Sequence, residues 1–381
     1  MKKRKIAILT LPLHSNYGGL LQAFALQRAL TFLGHESLLI NNKTSNYPNW
    51  RKHISFLKQR IFQLFKGGSV IRPDLTSNKN KRIIGEHSAK FVERYILKTE
   101  LVPAIFNFED IKSYNFEGYV VGSDQVWRPN YTPSIATYFY DFLEPISTVK
   151  KISYAASFGV DQWQYSSKET KSCAMLAKMF DAVSVREDSG IDLCANFLNV
   201  ASVKVLDPTL LIPKSDYENL VEKAQLIKPT GKLFTYILDR SPANRNMEEE
   251  AASYLKTTHF TAMPRKDMLN LSSENIKEYI FPPVEEWING FMSADYIITD
   301  SFHGTLFSII FNKRFISIGN KKRGLSRFTS ILNLLGLEHR LLLNVEDFNP
   351  ELLIQDIDWT QVNEKLSVEK EYSLKFLQTN L

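Results

Sequence analysis

Short apolar runs alternate with amphipathic stretches along the whole chain. Lys5–Leu11 reads as a first strand, Pro12–Gly19 as a polar turn, Leu20–Leu33 as an amphipathic helix closed by Gly34, and Ser37–Ile40 as a second strand. Further strands are predicted at Tyr119–Val121, Ile152–Ala155, Ala182–Val185 and Val203–Leu206. Pro208–Pro213 then marks a boundary, and Lys232–Leu238 opens a second series. That series continues with a helix over Met247–Lys256, a short strand at His259–Thr261 and a helix over Val284–Met292. Tyr296–Thr299 and Phe315–Ile318 are strands on either side of the apolar helix Thr305–Phe311, and helices follow at Phe328–Leu335 and Trp359–Phe376. Strands joined through helices run parallel. The pattern predicts an α/β chain of two parallel-sheet domains that face each other across a cleft. The two domains are 1–207 and 208–345, and a helical segment 346–381 packs back on the first.

Composition is consistent with two ordinary cores: 381 residues, 44% hydrophobic and 23% charged. No run is long enough to cross a bilayer. The start, MKKRKIAILTLPLH, has a basic head, but its apolar run is short and leads into polar HSNYGG, so a first strand is the better reading than a signal peptide. Cys173 and Cys194 suggest neither a disulfide framework nor a zinc site, and a cytoplasmic protein is expected. The net charge of +6 favours anionic partners without naming one. From Asn41 to Pro73 there is no acidic residue, while Arg51, Lys52, Lys58, Arg60 and Lys66 accompany Ile54, Leu57, Ile61, Leu64 and Phe65 at helical spacing. Such a basic amphipathic insertion suits peripheral contact with an anionic membrane through 50–66, or packing on its own domain.

The candidate chemistry lies at strand ends, where open α/β sheets bind ligands. Tyr119–Val121 is followed by Gly122-Ser123-Asp124-Gln125-Val126-Trp127, Ile152–Ala155 by Ser157-Phe158-Gly159, Ala182–Val185 by Arg186-Glu187-Asp188, and Val203–Leu206 by Asp207-Pro208. Arg186 suits bidentate phosphate or carboxylate binding, or a salt bridge with a nearby acid. Asn16, Gly18 and Gly19 would let a ligand approach the first turn, although HSNYGG is not a dinucleotide fingerprint. In Asp300-Ser301-Phe302-His303-Gly304, Asp300 and Ser301 are candidate helix caps, and His303 is set beside a helix N-terminus fit for an anion. Lys321, Lys322, Arg323 and Arg327 form a basic loop close to it.

Taken together, NYGGLLQAFALQ, VVGSDQVW, ISYAASFG, VSVRED, VLDPTLL and ITDSFHGTLFSIIFNKRFISI resemble the polysaccharide pyruvyl transferase family, in the family's order, from about residue 5 to 345. The resemblance implies a GT-B-like fold of two Rossmann-type domains. It also implies transfer of the enolpyruvyl unit of phosphoenolpyruvate to a sugar of a surface polysaccharide or its lipid-linked precursor, forming a pyruvate ketal. On that reading His303 and Asp124 are catalytic. Arg186, Ser301, Gly304, Lys322, Arg323 and Arg327 bind the donor, and Asn16, Tyr17, Gly18, Gln125 and Trp127 bind the acceptor. Phosphoenolpyruvate is a co-substrate, and no cofactor, metal or nucleic acid is expected. Many family members carry Arg-Leu-His-Gly where this chain has Ser301-Phe302-His303-Gly304. Either a cation of the 321–327 loop replaces that arginine or the donor is held differently. The alternatives are a GT-B nucleotide-sugar glycosyltransferase and a non-catalytic glycan- or anion-binding relative.

Overall fold

The computed structural model describes residues 3–43, 78–144, 148–227, 229–265, 275–319 and 324–381. Most of the basic insertion, including 50–66, lies outside the described residues, as do Lys321, Lys322 and Arg323.

The first sheet contains β1 (Lys5–Leu9), β2 (Glu36–Leu39), β3 (Gly118–Val121) and β4 (Lys150–Ser153) in the order β2-β1-β3-β4. All its pairs are parallel, with Ile8 against Leu39 and Val120, and Val120 against Ile152. Two short parallel strands, β5 (Ser184–Val185) and β6 (Val203–Lys204), extend it through the bridges Ile152–Ala182 and Ala156–Val185. The second sheet contains β7 (Leu233–Tyr236), β8 (His259–Phe260), β9 (Tyr296–Thr299), β10 (Arg314–Ile318) and β11 (Leu341–Leu342), ordered β11-β10-β9-β7-β8 and also parallel. Helices cover these sheets, which is why β3, β7 and β9 read as unbroken apolar runs.

One hydrophobic cluster runs through both sheets, from Ile8 and Leu21 to Phe234, Trp287, Ile297 and Phe307. Tyr17 lies at the join. Its hydroxyl donates to Pro282 O at 2.7 Å and Ala262 O at 3.2 Å, and its ring stacks on Trp287 at 5.6 Å. The last helix, Trp359–Asn380, packs on the first sheet: Leu206 N donates to Ser373 Oγ, and the rings of Phe376 and Tyr154 lie 6.3 Å apart. Among the described residues no helix is long and apolar enough to cross a membrane.

Two helix starts differ from the sequence reading, and both differences bear on the site. The first helix is Tyr17–Phe32, because Asn16 Oδ1 accepts from Gly19 N and caps it there, so Gly18 and Gly19 are helical rather than part of a loop. The helix after β9 is Phe302–Ile310, capped by Ser301, whose Oγ accepts from Gly304 N. Asp300 is not a cap. Its carboxylate accepts from Leu238 N at 2.7 Å and Asp239 N at 2.9 Å, which ties the end of β7 to the end of β9.

Candidate functional site

Three strand ends of the first sheet and one of the second converge on a buried chain of charges. Asp124 follows β3 in a left-handed conformation, φ 69°, held by bonds from Val126 N and Ser157 N to its carbonyl. The turn is also gripped from the first helix. Gln22 Oε1 accepts from Ser123 N and Ser123 Oγ, and Gln22 Nε2 donates to Thr10 Oγ1. A non-glycine residue in this region is strained, and persists only where its surroundings over-determine it.

Arg186, after β5, spans two carboxylates. Its Nη1 donates to Asp207 Oδ2 at 2.6 Å and its Nη2 to Asp124 Oδ1 at 3.2 Å. Its guanidinium also lies over the Phe302 ring, 4.5 Å from the centroid. Asp207 Oδ1 caps the turn Pro208–Leu210 by accepting from Thr209 N and Thr209 Oγ1. Glu187 Oε1 accepts from Ser157 Oγ at 2.7 Å and Phe158 N at 3.2 Å. Its Oε2 and Arg186 Nε, 4.0 Å apart, each lack a hydrogen bond.

His303 enters from the second sheet, in the first turn of helix Phe302–Ile310, and is 6% exposed. Its Nε2 lies 3.5 Å from Asp207 Oδ2, within ion-pair reach but without a well-formed hydrogen bond. Gly18 of the first helix packs against the ring beside Nδ1, where a Cβ would come within 2.1 Å of Nδ1 and 2.4 Å of Cγ. Arg327, from helix Ser326–Leu335, brings a second guanidinium 5.4 Å from the Phe302 centroid and is also 6% exposed. Two cations on one ring, two enclosed aspartates and a histidine thus share a site that water barely enters.

The charges shift one another's protonation. Burial pushes the Asp207 carboxyl up, but His303 and then Arg186 overcome it and hold the group well below the usual carboxylate range. Asp124 behaves alike: burial raises it, and Arg186, His303 and Arg327 bring it below normal. Glu187 goes the other way, because its burial outweighs Arg186 and Ser157. Burial, with Arg186 close by, lowers the Arg327 guanidinium to about 10.

Of the residues singled out from sequence, the structure thus brings together Asp124, Arg186, His303 and Arg327, with Gly18 and Gly304 beside them. Gln125 borders the site, its Oε1 accepting from Arg128 Nη1 and lying where a Cβ on Gly159 would meet it at 2.1 Å. Asn16 is spent as a helix cap. Tyr17 and Trp127 do not present faces to a ligand. Tyr17 is wholly buried at the join of the two sheets; Trp127, 1% exposed, stacks on Phe139 and donates Nε1–H to Tyr138 O. Lys322 and Arg323 fall outside the described residues. Asp207, Glu187 and Gln22 belong to the site and were not singled out as site residues from sequence. Among the described residues, no group of three or more His, Cys, Asp or Glu side chains is placed to hold a metal ion.

Comparison with known sequences decides the family, because residues 16–322, most of the chain, match the polysaccharide pyruvyl transferase model. The chain is a member of the polysaccharide pyruvyl transferase family. Membership makes it a transferase of polysaccharide biosynthesis and sets the cluster, apart from Arg327, inside the matched region. No curated protein matches the sequence. Among solved structures it is similar to Arabidopsis thaliana UGT89C1 complexed with UDP-L-rhamnose, at 10% identity and a TM-score of 0.50, with 100% of this chain and 99% of that one covered. It is also similar to S. aureus MnaA with UDP, at 11% identity and a TM-score of 0.49, covering 97% of this chain and 90% of that one. The fold of this pyruvyl transferase family member is GT-B-like: two Rossmann-type halves, each with a parallel sheet, joined along their strand ends.

Proposed function

We propose that the protein transfers the enolpyruvyl group of phosphoenolpyruvate to a sugar of a surface polysaccharide, or of its lipid-linked precursor, and closes it into a pyruvate ketal. The observation that carries this reading is His303, held at a helix N-terminus between Asp207 and Gly18 and flanked by two buried arginines. The donor has a phosphate and a carboxylate. A desolvated guanidinium such as Arg327 gains from an incoming anion, and the N-terminus of helix Phe302–Ile310 has N–H groups directed at one.

Chemistry then needs an acid at the donor's methylene carbon and negative charge near the cationic centre that forms. His303 serves as the acid and also contacts the donor phosphate. Asp124 accepts the proton of an attacking hydroxyl, since its neighbours keep it ionised. Arg186 acts from behind the carboxylates, fixing both and adding positive potential. Arg327 takes the place of the family arginine missing at Ser301, with Lys322 and Arg323 as further donor contacts. Asn16, Gly18 and Gln125 lie on the acceptor side. The acid-free insertion would hold the protein at the cytoplasmic face of a membrane, where a lipid-linked acceptor resides.

A second reading, a nucleotide-sugar glycosyltransferase, has the GT-B-like fold in its favour, since UGT89C1 was solved with UDP-L-rhamnose. One experiment separates them. Carbon-13-labelled phosphoenolpyruvate is incubated with the protein and a panel of glycans, and both the carbon spectrum and free phosphate are followed. A new methyl signal, appearing in step with phosphate and absent with His303→Ala, supports pyruvyl transfer. Intact phosphoenolpyruvate alongside consumption of a UDP-sugar overturns it.

A further inference from the structure

We propose that Asp207 is the positioning residue for His303, taking the Nε2 edge of the ring so that the opposite nitrogen, Nδ1, delivers the proton. The last clause rests on the pyruvyl-transfer reading, whereas the orientation itself does not.

Asp207 has little freedom. Thr209 N and Thr209 Oγ1 donate to Oδ1 at 3.0 and 2.7 Å, and Arg186 Nη1 donates to Oδ2 at 2.6 Å. Those bonds leave one lone pair of Oδ2 toward His303 Nε2, 3.5 Å away. Nε2 is buried and has no other hydrogen-bond partner, so an Nε2–H proton finds its acceptor only in Asp207. A bare Nε2 would instead hold its lone pair against a carboxylate that Arg186 and Thr209 hold by three donated hydrogen bonds. The neutral ring is therefore the Nε2–H tautomer, with the Nδ1 lone pair turned away from Asp207. Gly18 packs against the ring face beside Nδ1, where a Cβ would sit 2.1 Å from Nδ1 and 2.4 Å from Cγ, and so fixes the ring plane from the other half. The other charged groups around the ring fit this orientation: Asp124 and Glu187 lie with Arg186 on the Asp207 side, and Arg327 arrives over Phe302.

The step balances. The imidazolium gives its Nδ1 proton to the donor's methylene carbon as a sugar oxygen bonds to the neighbouring carbon, and the ring keeps Nε2–H. A second sugar oxygen then bonds to that carbon, and the carbon–oxygen bond to phosphate breaks with its electron pair leaving on phosphate. The two hydroxyl protons pass through Asp124, which ends ionised again: one goes on to restore the imidazolium and the other ends on phosphate.

The test uses the full chain labelled with nitrogen-15 histidine, with the His303 signals identified by their absence in His303→Gln. Two-bond nitrogen–proton couplings give the tautomer of the neutral ring. Wild type is expected to show Nε2–H. In Asp207→Asn the tautomers mix, and kcat for phosphate release falls by about 100-fold, the scale of a lost proton donor. KM for phosphoenolpyruvate stays within about threefold, and Asp207→Glu restores part of kcat together with the tautomer. An Nδ1–H ring in wild type overturns the proposal without any variant having to fold, as does an unchanged kcat in folded Asp207→Asn. An Nε2–H ring in a wild type that releases no phosphate from phosphoenolpyruvate supports the positioning role and overturns the donor reading instead.

Discussion

Gly18 and His303 meet across the join of the two sheets: a Cβ on Gly18 would lie 2.1 Å from His303 Nδ1. The first helix of one half thus sets how closely the histidine of the other can approach, and a missing side chain provides the room. Gly18→Ala should swing the ring away from Asp207 and lower kcat by about 100-fold, as misplacement by an ångström does. Displacing the buried ring should cost about 1–3 kcal/mol of stability, offset in part by the helix preference of alanine over glycine. Steady-state kinetics beside thermal melts check this, and unchanged turnover contradicts it.

On the pyruvyl-transfer reading proposed above, Arg327 takes the place of the arginine that the family resemblance expects at Ser301. Arg327→Ala should weaken phosphoenolpyruvate binding by about 1.5–3 kcal/mol, the scale of a charge-assisted bond. Ser301→Arg added to that variant should recover part of it, less about 1 kcal/mol of stability for the lost cap. Calorimetric titration of the three proteins decides; equal affinities would show that Arg327 does not touch the donor.

Arg186 joins Asp207 and Asp124 in a dry environment, so removing it leaves two buried carboxylates without their cation. Arg186→Ala should cost about 3–5 kcal/mol in urea unfolding at neutral pH. A loss below about 1 kcal/mol, the scale of an exposed pair, would mean that the cluster is far wetter than its enclosure implies.

The same cluster fixes the sign of the pH dependence. Asp124 and Asp207 titrate below their ordinary range in the fold, so their stabilisation is complete above the unfolded carboxylate value, about 3.9, and is lost as pH falls through the folded values. Glu187, raised by burial, contributes fully below its unfolded value of about 4.3 and loses that contribution as pH rises through its folded value. In thermal melts from about pH 1.5 to 7, Asp207→Asn should flatten the acid limb below about pH 3.9, and Glu187→Gln should flatten the decline above about pH 4.3. Parallel curves for wild type and both variants would refute the assignment.

The rhythm of strands and helices was legible because parallel strands covered on both faces are nearly pure apolar runs. Asp124, Arg186, His303 and Arg327 were legible as polar groups at strand ends or in a basic loop. The pairings were not: Arg186 meets Asp207 and Asp124 at separations of 21 and 62 residues, distances that only the sheet order closes. Asp207 reads in sequence as the cap of an Asp-Pro turn, which it also is, and Glu187 as the local partner of Arg186. Tyr17 and Trp127 stood at the right ends of their elements, but sequence does not say which way a ring turns.

Tyr17 offers a direct check of that correction. Tyr17→Phe removes two hydrogen bonds at the join and should cost about 1–2 kcal/mol of stability. KM for the glycan acceptor should stay the same, whereas a marked rise in KM with stability intact would return Tyr17 to the acceptor site.

The most direct test of the central claim is calorimetric titration of phosphoenolpyruvate, and separately of UDP-galactose, into wild type and His303→Ala. The account predicts saturable phosphoenolpyruvate binding that His303→Ala weakens by about 1.5–3 kcal/mol, and no binding of UDP-galactose. Binding of UDP-galactose, with none of phosphoenolpyruvate, would contradict it.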